Sequence, residues 1–186
     1  MNIIKSAELL AKKKHSGQLR KDGITTYSKH LEDVVGRLKS LGVVDEAILC
    51  AGWLHDTIED TETSFEDLFR QFESEIAVLV LSLSKDMSLT KKKREIGYVK
   101  QLKLSSSNAK MIKLCDISAN LSDIKNWDAS KSKKLRQVKK LRHYLSIIKN
   151  DLISNVQYPK VITLMESVNL ILKQFHQRPI SLQVKI

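Results

Sequence analysis

The segment AGWLHDTIEDTETSFEDL, residues 51–68, holds six carboxylates and one histidine but no Lys or Arg. The whole chain is the reverse, with 32 Lys plus Arg against 21 Asp plus Glu and a formal net charge of +11. His55, Asp56, Glu59 and Asp60 also sit among Trp53, Leu54 and Ile58, side chains that favour burial. On one continuous helix, at about 100° per residue, His55 falls above Glu59 and Asp56 above Asp60, while Cys50, Leu54 and Ile58 face away. Carboxylates gathered at a core edge repel one another and take up protons unless a cation joins them. Imidazole with carboxylate suits a first-row divalent metal such as manganese, iron or zinc. A plainer reading stands beside this one. A single His-Asp pair near a helix end is usually a surface feature. Asp60, Glu62, Glu66 and Asp67 would suit a solvated loop and the acid-favouring first turn of a following helix.

Matching groups elsewhere favour the metal. His30 lies in YSKHLEDVV, near the start of a second amphipathic stretch, and Asp116 lies in KLCDISANL, flanked by Leu114, Cys115 and Ile117. An aspartate in such company is costly to bury without a partner. Asn120 follows one turn later on the same face. Together His30, His55, Asp56 and Asp116 would make a two-His, two-Asp site. An octahedral ion there keeps positions for water and a substrate oxygen, which suits hydrolysis of a phosphate ester or pyrophosphate. The other histidines, His15, His143 and His176, read as surface or edge residues.

The elements that must position these groups read as helices. Six Gly and two Pro in 186 residues leave little punctuation for a many-turned β architecture. Ile3, Ile4, Ala7, Leu10 and Ala11 recur at helical spacing, with Gly17 and Gly23 as stops. A second helix is expected from about Ser28 to Leu41, closed by Gly42. A third should run from about Asp45 through Asp56 and one turn beyond. Thr63 or Ser64 caps the next, with Glu66 in capping-box position. SEIAVLVLSLS could be a buried helix or a strand, and helix is favoured because no partner strands are visible. Four further helical patterns follow. The expectation is an all-α single domain of roughly eight to ten helices. It would span 1–176, with 177–186 as an irregular tail. No run of about 18 apolar residues marks a membrane span, and the N-terminus lacks the apolar stretch of a secretory signal. Cys50 and Cys115 read as buried, reduced thiols of a cytoplasmic protein.

In order and spacing, His30, then His55-Asp56, then Asp116 resemble the His-Asp (HD) phosphohydrolase superfamily. AKKKHSGQLRKDGITTYSKH, LHDTIEDTETS and IKLCDISANL are similar to three signature blocks of the RelA/SpoT-type alarmone hydrolase domain. The likeness covers roughly residues 7–125. It implies a stand-alone, manganese-dependent hydrolase that removes the 3′-pyrophosphate of ppGpp or pppGpp, with a small nucleotide as its partner. By the same resemblance His30, His55, Asp56 and Asp116 fall on the metal-ligand positions. Glu59 and Asp60 fall on the acidic pair that orients and activates the attacking water. Arg20, Lys21 and Asn120 fall on substrate-binding positions, and Tyr144 lines the nucleotide site. Some neighbours depart from the family pattern: Leu31 replaces a common Pro, Ile117 and Ser122 replace basic residues, and Thr26 replaces a Pro. These changes bear on substrate identity, leaving the adenosine analogue of the alarmone or NADPH as alternatives.

The cationic runs KKKRE (91–95) and KSKKLRQVKKLR (131–142) have two further readings. Lys91, Lys92, Lys93, Arg94 and Lys140 could line the rim and attract a polyanionic substrate, or both runs could be solvated helix faces. A nucleic-acid-binding module with a vestigial metal site is disfavoured. No helix-turn-helix or zinc-finger pattern is present, and aromatic content is only 5%.

Overall fold

The computed structural model describes residues 2–183, so Met1 and residues 184–186 of the expected tail lie outside the described residues. Within them are ten helices and no strand, only an isolated antiparallel bridge between Leu19 and Thr26. The helices are α1 (Ile3–Lys14), α2 (Tyr27–Ser40), α3 (Glu46–Leu54), α4 (Thr57–Asp60), α5 (Phe65–Gln71), α6 (Ser74–Leu83), α7 (Lys91–Leu104), α8 (Ser107–Asp123), α9 (Lys131–Ile153) and α10 (Val161–Gln174). The chain is all-α, as its patterning requires. SEIAVLVLSLS is helical, forming α6. No helix among the described residues is long and apolar enough to cross a membrane.

Two helices are wrapped on nearly every side. Twelve of the seventeen residues of α8 are buried, as are seven of the nine in α3. A helix apolar all round belongs in the interior, and α2, α3, α6, α9 and α10 all pack on α8, with α1 covering α3. The polar residues of α3 and α8 that face inward therefore meet at one place.

Helix ends are set by local chemistry. Asp45 accepts from the Ile48 amide and Ser106 from the Ala109 amide, capping α3 and α8. Gly42, at φ +95°, terminates α2 in the left-handed conformation that favours glycine. The capping box before α5 is Ser64 with Asp67, one residue beyond the expected Glu66, because Ser64 rather than Thr63 is the cap.

The third helix is not continuous. It ends at Leu54, and a single turn, α4, restarts at Thr57. At the break, the Thr57 hydroxyl donates to the Leu54 carbonyl (2.7 Å) and the His55 Nδ1–H donates to the Gly52 carbonyl (2.9 Å). Such side-chain bonds offer the backbone an alternative to the helical ladder. Asp56, at φ −101° and ψ −3°, occupies the sparsely populated bridge region.

Gly52 allows α2 and α3 to approach closely. A Cβ there would lie 2.7 Å from Leu38 Cδ1 and 3.3 Å from Val35 Cγ2, both in the core. Gly52→Ala is expected to lower the unfolding free energy: overpacking costs about 1–3 kcal/mol, against a gain of about 1 kcal/mol in helix propensity. Gly97→Ala, in α7 with open space at its Cβ, should stabilise by up to about 1 kcal/mol. Denaturant unfolding of the two variants checks both signs.

Candidate metal centre and active site

His30 comes from α2, His55 and Asp56 from the α3–α4 break, and Asp116 from the middle of α8. Donor atoms of His30, His55 and Asp56 all lie within 4.8 Å of one another. Asp116 Oδ1 approaches His30 Nε2 at 3.3 Å and His55 Nε2 at 3.8 Å. Asp56 Oδ2 lies 3.0 Å from His55 Nε2 and 3.6 Å from His30 Nε2. Both imidazoles are buried, and neither Nε2 makes a hydrogen bond of acceptable geometry. Because the Gly52 carbonyl can only accept, the proton of neutral His55 sits on Nδ1 and its Nε2 lone pair faces the cluster. Two buried imidazole nitrogens and two carboxylates aimed at one point form a donor set that fits a divalent cation.

Neighbouring groups steer these ligands. The Tyr27 hydroxyl donates to Asp56 Oδ2 at 2.6 Å and lies 3.0 Å from Asp60 Oδ2. Burial, then the Asp56 and Asp60 charges, push the Tyr27 phenol far above its ordinary range, so it stays a donor. Burial opposes the Asp116 charge, yet the Lys113 ammonium at 2.9 Å and the two histidines hold its carboxyl well below the usual range. Burial alone would depress the His55 imidazole, but Asp56 and Asp116 outweigh it and raise the group to about 10. Asn120 donates to the Asp116 carbonyl and side chain, and accepts from Arg20 Nη2 at 2.9 Å. Arg20 also pairs with Asp123 at 3.1 Å.

Two connected hollows open on the cluster. One, of about 370 Å³, is lined by Asp56, Glu59, Asp60 and Asp116 together with Lys21, Lys85, Lys113, Lys140 and Tyr144; Lys85 and Lys113 pair directly with Glu59 and Asp116. The second, about 210 Å³, lies beside His30 and is walled by Arg20, Lys21, Asn120 and Trp127. The Lys21 ammonium sits 4.7 Å over the Trp127 ring. The turn carrying Arg20 and Lys21 is tied by Asp22, which accepts from Thr25 Oγ1 and the Thr25 and Ile24 amides. These bonds pull the Asp22 carboxyl down to about 2. Cys115, adjacent to Asp116 in sequence, is fully buried and free, and burial raises its thiol well above the ordinary range.

The sequence model of the HD domain matches residues 7–157, most of the chain. The chain belongs to the HD-domain family. A fruit-fly (Drosophila melanogaster) protein named guanosine-3′,5′-bis(diphosphate) 3′-pyrophosphohydrolase MESH1 is 39% identical over 113 residues, 60% of this chain and 63% of that protein. The zebrafish (Danio rerio) protein of the same name is 36% identical over 143 residues, 70% of this chain and 79% of that one. A solved structure described as a metazoan orthologue of SpoT that hydrolyses ppGpp superposes with a TM-score of 0.79 and 27% identity, covering 94% of this chain and 96% of that chain. A Listeria monocytogenes crystal structure at 23% identity and TM-score 0.60 shares the fold, over 81% of this chain and 96% of that one. An HD domain implies a divalent metal, in keeping with the His30–His55–Asp56 cluster.

The HD site brings together most of the residues singled out in the sequence. His30, His55, Asp56 and Asp116 converge; Glu59, Asp60, Arg20, Lys21, Asn120, Lys140 and Tyr144 line the hollows. Three expectations need correction. His15 is buried and stacks on Tyr27 with ring centroids 4.6 Å apart, rather than lying at the surface. The expected continuous third helix is interrupted at His55–Asp56, and Glu59, on the turn beyond, is bound to Lys85. Lys91, Lys92, Lys93 and Arg94 line neither hollow. Arg94 folds back onto the Met87 and Leu89 carbonyls. Residues missed in the sequence are Tyr27, Lys85, Lys113 and Trp127. Lys113 was legible, since it lies one turn before Asp116 on a buried helix.

Because His55 is raised from 6.5 to about 10, a cation entering the site displaces a proton near neutral pH. Titration of Mn²⁺ into metal-free protein at pH 7 is expected to release about one proton, read from calorimetry in buffers of different ionisation enthalpy. In the metal-free protein this pairing stabilises the fold fully below about pH 6.5, and the contribution is lost as pH rises through about 10. Thermal unfolding with chelator present should therefore weaken over that window.

Proposed function

We propose that this HD protein hydrolyses the 3′-pyrophosphate of ppGpp or pppGpp, giving GDP or GTP and pyrophosphate, with manganese as the native metal. The observation that carries this reading is the cavity itself: Asp56 and Asp116 of the candidate metal cluster, the acidic pair Glu59 and Asp60, and four lysines line a single hollow. The names of the MESH1 relatives and the description of the similar solved structure support it.

His30, His55, Asp56 and Asp116 would hold the ion, which when bound supplies Lewis acidity and lowers the pKa of a water molecule. Asp60, steadied by Tyr27, and Glu59, steadied by Lys85, border the same space. Their carboxylates orient the attacking water and accept its proton. Lys21 and Lys140 neutralise the incoming phosphates. Burial, and then the Arg20 charge, lowers the Lys21 ammonium; burial and then Lys85 lowers that of Lys140. An arriving polyanion relieves both strains. Arg20 and Asn120 wall the adjoining hollow, where Trp127 and Lys21 offer a flat surface to the nucleoside.

The test is pyrophosphate release from ppGpp by purified protein with Mn²⁺. Asp56→Ala is expected to lose metal and turnover together. Glu59→Gln should keep the metal, measured by calorimetry, and lose turnover by about 10²–10⁴-fold. No release by the wild type with Mn²⁺ would refute the assignment, and near-normal turnover in Glu59→Gln would refute the role of that residue.

A further inference from the structure

Glu59 stands on α4, a helix of four residues. One isolated turn cannot hold a side chain rigidly, because so short a helix has little stability of its own. Its carboxylate is fixed from elsewhere. The Lys85 amide donates to Oε2 at 3.1 Å, and the Lys85 ammonium reaches Oε1 at 2.8 Å and Oε2 at 3.1 Å. Both partners are largely shielded, at 13% and 19% side-chain exposure, so this is not an ordinary surface pair. The ammonium also lies 4.6 Å from the centroid of the Tyr98 ring.

Lys85 is itself anchored. It follows α6, whose last turn is closed by the Ser84 hydroxyl donating to the Val80 carbonyl at 2.8 Å. The Gln101 side-chain amide, from α7, reaches the Leu81, Ser82 and Ser84 carbonyls at 2.8–3.0 Å. These carbonyls lie in and just after the last turn of α6, where the helical ladder runs out of donors. The α6–α7 junction is thus stapled one residue before the clamp begins. Asp60, the other member of the acidic pair, is held by Tyr27 and makes no contact of this kind with Lys85.

We propose that Lys85 is a positioning residue for the reaction, acting through Glu59: it sets the direction of that carboxylate toward the metal cluster from a rigid platform outside the metal-binding helices. This rests on the hydrolase reading given above. The pair is anchored to α6 and α7, while the metal ligands come from α2, α3 and α8, so water handling and metal holding are supported separately.

The experiment compares Lys85→Met, which keeps the apolar stem, with Lys85→Arg, alone and in a Glu59→Gln background, on the full-length manganese-loaded protein. Lys85→Met should lower kcat on ppGpp by about 10- to 100-fold, with KM within about twofold and Mn²⁺ affinity unchanged. Lys85→Arg should recover most of the loss. In the Glu59→Gln background, Lys85→Met should cost less than about twofold, because the residue it acts through is already gone. A full multiplicative loss in that background, or a raised KM with kcat intact, overturns the proposal. A second arm needs no turnover. The Lys85 ammonium ¹⁵N resonance, assigned by its loss in Lys85→Arg, should shift in Glu59→Gln, and an unmoved resonance also overturns the proposal. A wild type inert toward ppGpp and pppGpp defeats the hydrolase reading itself, and with it a catalytic role for Lys85, whatever the resonance does.

Discussion

Charge burial is the constraint around which this molecule is organised. Two carboxylates and two imidazoles are carried to one point by three different elements. In a low-dielectric setting such a group is tolerable only if every member has a partner or a shared cation. The surroundings answer that demand in layers. Lys113 satisfies the second oxygen of Asp116, Tyr27 donates to the Asp56 oxygen that approaches the histidines, and the Gly52 carbonyl satisfies the outer nitrogen of His55. The Nε2 atoms of both histidines are left buried without a hydrogen bond beside these carboxylates, a donor set that suits a divalent ion. The rest of the fold, including the close α2–α3 approach at Gly52, serves to bring these layers within reach.

The same accounting explains how a basic protein comes to have an acidic heart. The excess cations are not spread evenly. Lys21, Lys85, Lys113 and Lys140 line the same hollow as the carboxylates. The run at 91–94 remains on the outside. On the proposed reading the two kinds of charge serve the two ends of one event: acids handle the water and the ion, and Lys21 and Lys140 receive a ligand with several negative charges. A nucleic-acid stripe would require the reverse distribution, with cations displayed on an open face.

Much of this was legible in the residue order. An apolar stretch interrupted by a lone aspartate, as at Asp116, signals a buried ligand through cost alone. Scarce Gly and Pro signal helices. Other features needed three dimensions. The break at His55–Asp56 has no Pro or Gly to announce it; it arises because His55 and Thr57 turn their side chains onto the preceding carbonyls. On the turn beyond the break, Glu59 takes as its partner a lysine 26 residues away. His15 misled for a related reason. It lies in a basic helix end, yet the loop after it folds Tyr27 against its ring. Periodicity describes single elements, and both cases turn on contacts between elements.

Cys115 adds something to this picture. It is next to Asp116 of the candidate metal cluster in sequence, yet its sulfur is sealed in the core and held as the neutral thiol. Thiolates are soft donors that favour zinc, copper(I) and iron–sulfur chemistry. By facing this sulfur into the core, α8 keeps the site's donors to nitrogen and oxygen. The centre is thereby biased toward harder, exchangeable ions, and it is insulated from the oxidants that would modify a thiolate in that position.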